Sequence, residues 1–209
     1  MEDLRKKKSR EMLKKAFLTL LEEKPYDQIT ITDVAKQSQL NRKTFYSNYE
    51  EMDDLLKDCL NDFLIEMLKP FFLVNPTLPS PKTSADIPYG FLECVRDYTY
   101  FILANQDFLR LILKRRLDGF VLSVWKDSLL SPEKQARSFF PRDYRPDVTW
   151  DAANRDLYYN YSIHSHWGNL IWILDHADLP AETLISRSLT VYQTYLSIYL
   201  ALYPKHGEK

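Results

Sequence analysis

The chain has 209 residues, 27% of them charged and 45% hydrophobic, with a formal net charge of −1 and only four glycines and two cysteines. That length suits one or two domains with a sizeable core, and the cysteine count excludes a disulfide framework. No apolar run is long enough to span a membrane, and the charged N-terminus lacks the apolar stretch of a signal peptide, so the expected location is the cytoplasm. Few glycines and few strand or hairpin signals predict an all-α fold, with Cys59 and Cys94 as buried thiols on helices.

The first helix is predicted at about Leu4 to Glu23, with Leu13, Ala16, Phe17, Leu20 and Leu21 as its apolar face. Pro25 ends it, because proline cannot continue the hydrogen-bond ladder. Thr30 then precedes an apolar run, with Asp33 three residues later, which is a capping-box pattern. Ile31, Val34 and Ala35 share a face. Ser38-Gln39 breaks the periodicity, Leu40 restores an apolar contact, and Asn41 is a good N-cap for the next helix. In that helix Phe45 and Tyr49 are four apart and face inward. Lys43 and Ser47 then point most nearly outward, with Thr44 and Tyr46 beside them. Two short helices around a tight turn, the second opening on Arg42-Lys43, have the build of a helix-turn-helix whose second helix reads the DNA major groove. The bland alternative is a small amphipathic pair with a solvated charged face.

A fourth helix is predicted at about Met52 to Lys69, with Leu55, Leu56, Cys59, Leu60, Phe63, Leu64 and Met67 apolar and Asp53 and Asp54 in its first turn. Pro76, Pro79, Pro81 and Pro88 mark an irregular connector at 75–88. Helices are expected at about Tyr89 to Asn105, Gln106 to Arg116 and Asp118 to Leu130, then a loop-rich stretch at 131–149. Two long helices finish the chain, at about Trp150 to His176 and Ala181 to Leu202. They form a hairpin suited to a homodimer interface. Gly168 inside the first of them fits either close helix packing or a helix that tolerates one glycine at a cost of about 1 kcal/mol.

No catalytic set is evident, so no enzyme activity, cofactor or metal is expected. His164 and His166 are two apart, hence about 160° apart around a helix, and cannot easily share one ion. Aromatic residues crowd the C-terminal part. Tyr98, Phe101, Phe108, Trp125, Tyr158, Tyr161 and Trp167, with Trp172, are either bundle core or the lining of an effector cavity.

Three stretches carry a family resemblance: Ile31-Thr32-Asp33-Val34-Ala35, then Leu40-Asn41-Arg42-Lys43-Thr44-Phe45-Tyr46, then Tyr49 with Leu55-Leu56. Together, over about residues 10 to 57, they resemble the DNA-binding domain of TetR/AcrR-type transcriptional regulators. The resemblance implies a helix-turn-helix domain at 1–50 and an effector-binding and dimerisation bundle at 51–209. It implies a homodimer formed through the last two helices, a palindromic operator, and release by a small-molecule effector, with repression as the default. Thr44 and Tyr46 would contact phosphates, and Asn48 stands where the family often has a phosphate-contacting His. Arg42, Lys43 and Ser47 would lie nearest the bases, with Thr30 and Lys36 as further contacts.

Two departures stand out. Ser38 occupies the turn position usually held by Gly, and is expected to accept the turn geometry at a cost. Met52 occupies a position where the family often has a phosphate-touching Lys, and Glu50 and Glu51 before it would repel a DNA backbone. A basic segment is a candidate replacement: Arg5, Lys6, Lys7, Lys8 and Arg10, followed by Lys14 and Lys15. Leu4 to Tyr49 carries a net of +6 in a chain of net −1, so the remainder carries −7. The rival readings are a co-regulator that acts through a protein partner and a small helical enzyme or carrier that uses the aromatic bundle.

Overall fold

The computed structural model describes residues 4–72, 91–130 and 152–202. The connector at 75–88 and the loop at 131–149 lie outside the described residues, as do the expected helix starts at Tyr89 and Trp150. The fold is all-α. The helices are α1 (Leu4–Glu23), α2 (Ile31–Gln37), α3 (Arg42–Tyr46), α4 (Met52–Phe72), α5 (Phe91–Ala104), α6 (Gln106–Lys114), α7 (Asp118–Leu130), α8 (Ala152–Asp175) and α9 (Ala181–Leu202), with a 3-10 turn at Tyr26–Gln28. No strand occurs among the described residues.

The chain divides into two compact units, Met1–Leu64 with Asp107–Trp125, and Ile65–Gln106 with Lys126–Lys209. The first therefore extends well past residue 50. Its core joins Leu13, Phe17 and Leu21 of α1 to Val34, Phe45, Leu55, Leu56, Leu60, Leu64, Leu109 and Ile112, all fully buried. Each such side chain contributes about 1.5–3 kcal/mol of transfer free energy. Ring contacts add direction: Phe63 packs on Phe108 at 4.9 Å, and Tyr26 meets Phe17 at 6.1 Å and Phe120 at 5.8 Å. Arg115 donates from Nε to the Leu21 carbonyl (2.9 Å) and from its terminal nitrogen to the Glu22 carbonyl (2.8 Å). A cation thus satisfies two orphan carbonyls at the C-terminus of α1. These contacts draw 107–125 into the unit.

In the second unit α5 packs on both α8 and α9. Val95, Tyr98, Ile102, Ile163, Trp167, Leu170, Ile173, Leu184 and Ile185 form its core. The Tyr98 phenol, buried with its ring, donates to the His166 carbonyl at 3.1 Å, the kind of partner a buried tyrosine requires. Ser188 of α9 donates to Asn169 of α8 at 3.3 Å.

α6 stops at Lys114 rather than Arg116 because Arg116 turns left-handed, with φ 57°. Its N–H reaches the Leu113 carbonyl (3.1 Å), and the Leu117 N–H reaches the Ile112 carbonyl (3.0 Å). That pair of bonds is a Schellman closure. Among the described residues no helix is long and apolar enough to cross a membrane.

Candidate nucleic-acid interface

The reading element is built on two caps. Thr30 Oγ1 accepts from the Asp33 N–H at 3.1 Å, while Asp33 accepts from the Thr30 N–H at 2.9 Å and from its hydroxyl at 2.7 Å. Lys24 adds a bond to the same carboxylate at 2.7 Å. Hydrogen bonds from Lys24 and Thr30 hold the Asp33 carboxyl well below the usual carboxylate range. At the second cap, Asn41 Oδ1 accepts from the Thr44 N–H (2.8 Å) and hydroxyl (3.0 Å).

The turn between these helices corrects one expectation. Ser38 is not the strained residue: it keeps ordinary helical angles of φ −79° and ψ −5°. The left-handed position is Gln39, with φ 57°. The Leu40 N–H bonds to the Ala35 carbonyl (2.9 Å) and the Gln39 N–H to the Lys36 carbonyl (3.1 Å), a second Schellman closure with Gln39 at its left-handed site. Ser38 is instead buried, its hydroxyl returned to the Ala35 carbonyl at 3.1 Å.

α3 itself is only five residues, Arg42–Tyr46, extended by turn bonds from Ser47, Asn48 and Tyr49 back to Lys43 and Phe45. Phe45 is fully buried and Tyr49 nearly so, with ring centroids 5.7 Å apart. Arg42, Lys43, Tyr46 and Ser47 are exposed. Arg42 donates to Tyr46 Oη at 3.3 Å and lies 5.9 Å over its ring. The Tyr46 hydroxyl accepts that bond and keeps its own proton to donate. Lys36, in the last turn of α2, is exposed as well.

The hydroxyls of Thr30, Thr44 and Ser47 are engaged within the protein, Ser47 with the Thr44 carbonyl at 2.8 Å. Asn48 is half-buried. Its Nδ2 donates to the Thr44 carbonyl (2.7 Å) and to Ser9 Oγ (3.2 Å), and its buried Oδ1 is acceptor-only and cannot take an anion. Asn48 thus ties the end of α3 to α1, whereas Arg42, Lys43 and Tyr46 present donors outward.

The turn that leads into α4 is held by the first-turn carboxylates of that helix. Asp54 accepts from the N–H groups of Glu50 (3.1 Å) and Glu51 (3.2 Å), and Tyr26 Oη donates to Asp53. One turn on, Asp58 gathers three donors: Tyr49 Oη at 2.7 Å, Arg10 at 2.8 Å and Lys14 at 3.0 Å. Lys14 also reaches Asp62 at 2.5 Å. Burial raises the Asp58 pKa, but the bonds from Tyr49, Arg10 and Lys14 outweigh it and leave the carboxyl below its ordinary value. Arg10 and Lys14 are thus tied to α4, while Arg5, Lys6, Lys7 and Lys8 are exposed on the first turns of α1. A sequence signal for this pairing existed: basic residues four apart on α1 and acidic residues four apart on α4. Asp58 and Asp62 were missed because that signal names no partner, and Ser9 because its tie to Asn48 joins residues 39 apart.

The expected effector residues are divided between the units. Phe108 and Trp125 belong to the first, and Tyr98, Phe101, Tyr161 and Trp167 to the second. Tyr98 and Trp167 are core, Phe101 is half-buried, and the Tyr158 side chain lies outside the described residues. Tyr161 instead lines a groove of about 670 Å³ between α8 and α9, with His166, Asn169, Trp172, Arg187 and Val191. A Cβ on Gly168 would meet nothing within 4 Å, so among the described residues no close packing requires that glycine. Among the described residues no group of three or more His, Cys, Asp and Glu is arranged to hold a metal ion.

No protein-family model matches the chain. Over 67 residues, 32% of its length, the chain is 39% identical to a Bacillus subtilis (strain 168) protein described as an uncharacterized HTH-type transcriptional regulator, YxbF, and the match spans 18% of that protein. The solved structure of the dihydroxyacetone kinase operon activator DhaS aligns over 96% of this chain and 98% of its own. Its identity is 19% and its TM-score 0.40, a correspondence too loose to carry an argument.

Proposed function

We propose that this protein is a one-component transcriptional regulator of the TetR/AcrR type, reading duplex DNA with α3. The observation that carries the reading is the outward stripe of Arg42, Lys43, Tyr46 and Ser47 over the buried Phe45 and Tyr49, on a frame capped at both helix starts. Side chains at the start of a recognition helix are those that reach base edges. The short match to a helix-turn-helix regulator supports the same assignment.

In this reading two copies join through α8 and α9 and meet two half-sites about 34–36 Å apart, or a multiple of that spacing. Support comes from the exposed Leu157, Tyr161 and Val191 and from the open space at Gly168. A small-molecule effector bound in the second unit changes DNA affinity to the extent that it prefers one conformation over the other. Repression with effector-driven release is the default form.

Selection of duplexes from a random-sequence pool by the full chain tests the assignment. Enrichment of a palindrome is expected, with Lys43→Ala relaxing the preference as well as lowering affinity. Failure to enrich any sequence, with monomers in sedimentation, overturns it. One observation favours a second reading, a co-regulator acting through a protein partner: three carboxylates gather at the turn before α4, Asp54 bonded to the Glu50 and Glu51 N–H groups and the side chains of Glu50 and Glu51 exposed beside it.

A further inference from the structure

Resting on the DNA-reading assignment above, we propose that the first two turns of α1, through Lys6, Lys7 and Lys8, are this chain's grip on the DNA backbone, and that the start of α4 takes no phosphate. Three observations combine. First, the N–H groups of Glu50 and Glu51, in the turn just before α4, donate to Asp54 and so set its carboxylate beside the helix start, the place where a helix otherwise attracts anions. A phosphate approaching there meets that carboxylate and the exposed Glu50 and Glu51, a like-charge cost at each encounter.

Second, the cations of α1 fall into two sets. Arg10 and Lys14 are committed to Asp58 and Asp62. Lys6, Lys7 and Lys8 are exposed. Third, this exposed set is fixed in place relative to the reading element. Ser9 Oγ donates to the Lys6 carbonyl at 2.8 Å and accepts from Asn48 at 3.2 Å, so the second turn of α1 is hydrogen-bonded to the end of α3. A duplex seated on α3 therefore lies beside the start of α1, where Lys6, Lys7 and Lys8 fan out around the helix on long side chains, so that those on the DNA side reach its backbone. Such a set fits a polyanionic backbone and carries no base information.

The test is the salt dependence of binding by the full chain, read by anisotropy between about 50 and 200 mM salt. The probes are a duplex of about 30 base pairs carrying the selected palindrome and a scrambled duplex of equal length. The combined variant Lys6→Gln, Lys7→Gln, Lys8→Gln keeps good helix formers on an exposed face. It is expected to flatten the slope by about 0.9 for each phosphate no longer neutralised, and to weaken both duplexes alike. Met52→Lys is expected to leave the slope unchanged. An unaltered slope in the triple variant overturns the proposal, as does a slope steepened by about 0.9 per head in Met52→Lys, while the DNA-reading assignment survives both. If the unmodified chain binds neither duplex at the lowest salt, the DNA-reading assignment itself fails and this proposal falls with it.

Discussion

The two compact units use their polar side chains differently. In the first, hydrogen bonds cross between helices distant in sequence: Arg10 and Lys14 of α1 to Asp58 of α4, Tyr49 to the same carboxylate, Asn48 to Ser9, Arg115 to the end of α1. In the second, many described polar groups return to their own helix. His164, His166 and His176 bond to the carbonyls of Asn160, Ser162 and Trp172, and Thr190 and Thr194 to those of Ser186 and Thr190. A cross-helix bond has one distance and one register, and so fixes how two helices sit. A bond back into the same helix leaves helix-to-helix packing to apolar contact, which is non-directional. The second unit has cross-helix bonds of its own, from Tyr98 to the His166 carbonyl, Tyr100 to Glu182 and Ser188 to Asn169, but it lacks among its described residues a shared acceptor like Asp58, which gathers donors from two other elements.

Phe45→Ala is the harshest test of that contrast. It removes a fully buried ring and is expected to cost about 3–5 kcal/mol. In chemical denaturation the α1–α4 signals should melt first while those of α8 and α9 persist, and loss of both together would show the units to be one cooperative block.

Asp58→Ala comes next, at about 1–3 kcal/mol, because it leaves Arg10, Lys14 and Tyr49 without their shared acceptor. The pH dependence supplies the sign. The folded pKa of Asp58 lies below the ordinary 3.8, so its contribution is present above that value and is lost as pH falls through the folded pKa. Asp58→Asn should therefore remove part of the acid-induced loss seen below about pH 3.8. An unchanged acid limb would place the acid sensitivity elsewhere.

Gln39→Gly sharpens the comparison from the other side. The left-handed backbone at Gln39 costs about 1–2 kcal/mol for a residue with a Cβ, and glycine returns about 0.5–1 kcal/mol of that through its greater unfolded-state freedom. A net gain of about 0.5–1 kcal/mol is expected in thermal unfolding, with Ser38→Gly bringing none.

The smallest effect belongs to His166. Burial lowers its pKa below 6.5, partly opposed by the Ser162 carbonyl bond. The neutral form is thus favoured in the fold, and its contribution, complete above pH 6.5, is lost as pH falls through the folded pKa. Calorimetry of His166→Gln should show a pH response of the second unit flattened by less than about 1.4 kcal/mol per pH unit.

Much of the reading element was legible because its determinants act within four residues. Thr30 with Asp33 was readable as a capping box, Asn41 as the next N-cap, and Phe45 with Tyr49 as the inward pair. The turn was misread by one position. Without a glycine to mark it, nothing local says whether the left-handed residue is Ser38 or Gln39; that depends on where the last helical hydrogen bond of α2 closes. The aromatic residues were harder still. Periodicity puts Tyr98 and Tyr161 alike on apolar stripes, yet one is buried under α8 and α9 and the other is exposed along their groove.

The sequence by itself determined the all-helical fold, the ends of α1 and α9, both caps and the side of α3 that faces out, since each follows from backbone propensity and neighbours within a turn. Tertiary structure alone decided that Asp58 takes up Arg10, 48 residues away, together with Lys14, that Arg115 reaches back 94 residues to cap α1, and that Asp54 holds the turn that leads into α4. Several acids lie near the Glu50 and Glu51 amides in sequence, and only the folded turn selects Asp54 among them. The other pairings depend on the rotation and offset of packed helices. Those offsets are set by the combined fit of the buried apolar side chains, a property of the whole core that no single stretch of sequence carries.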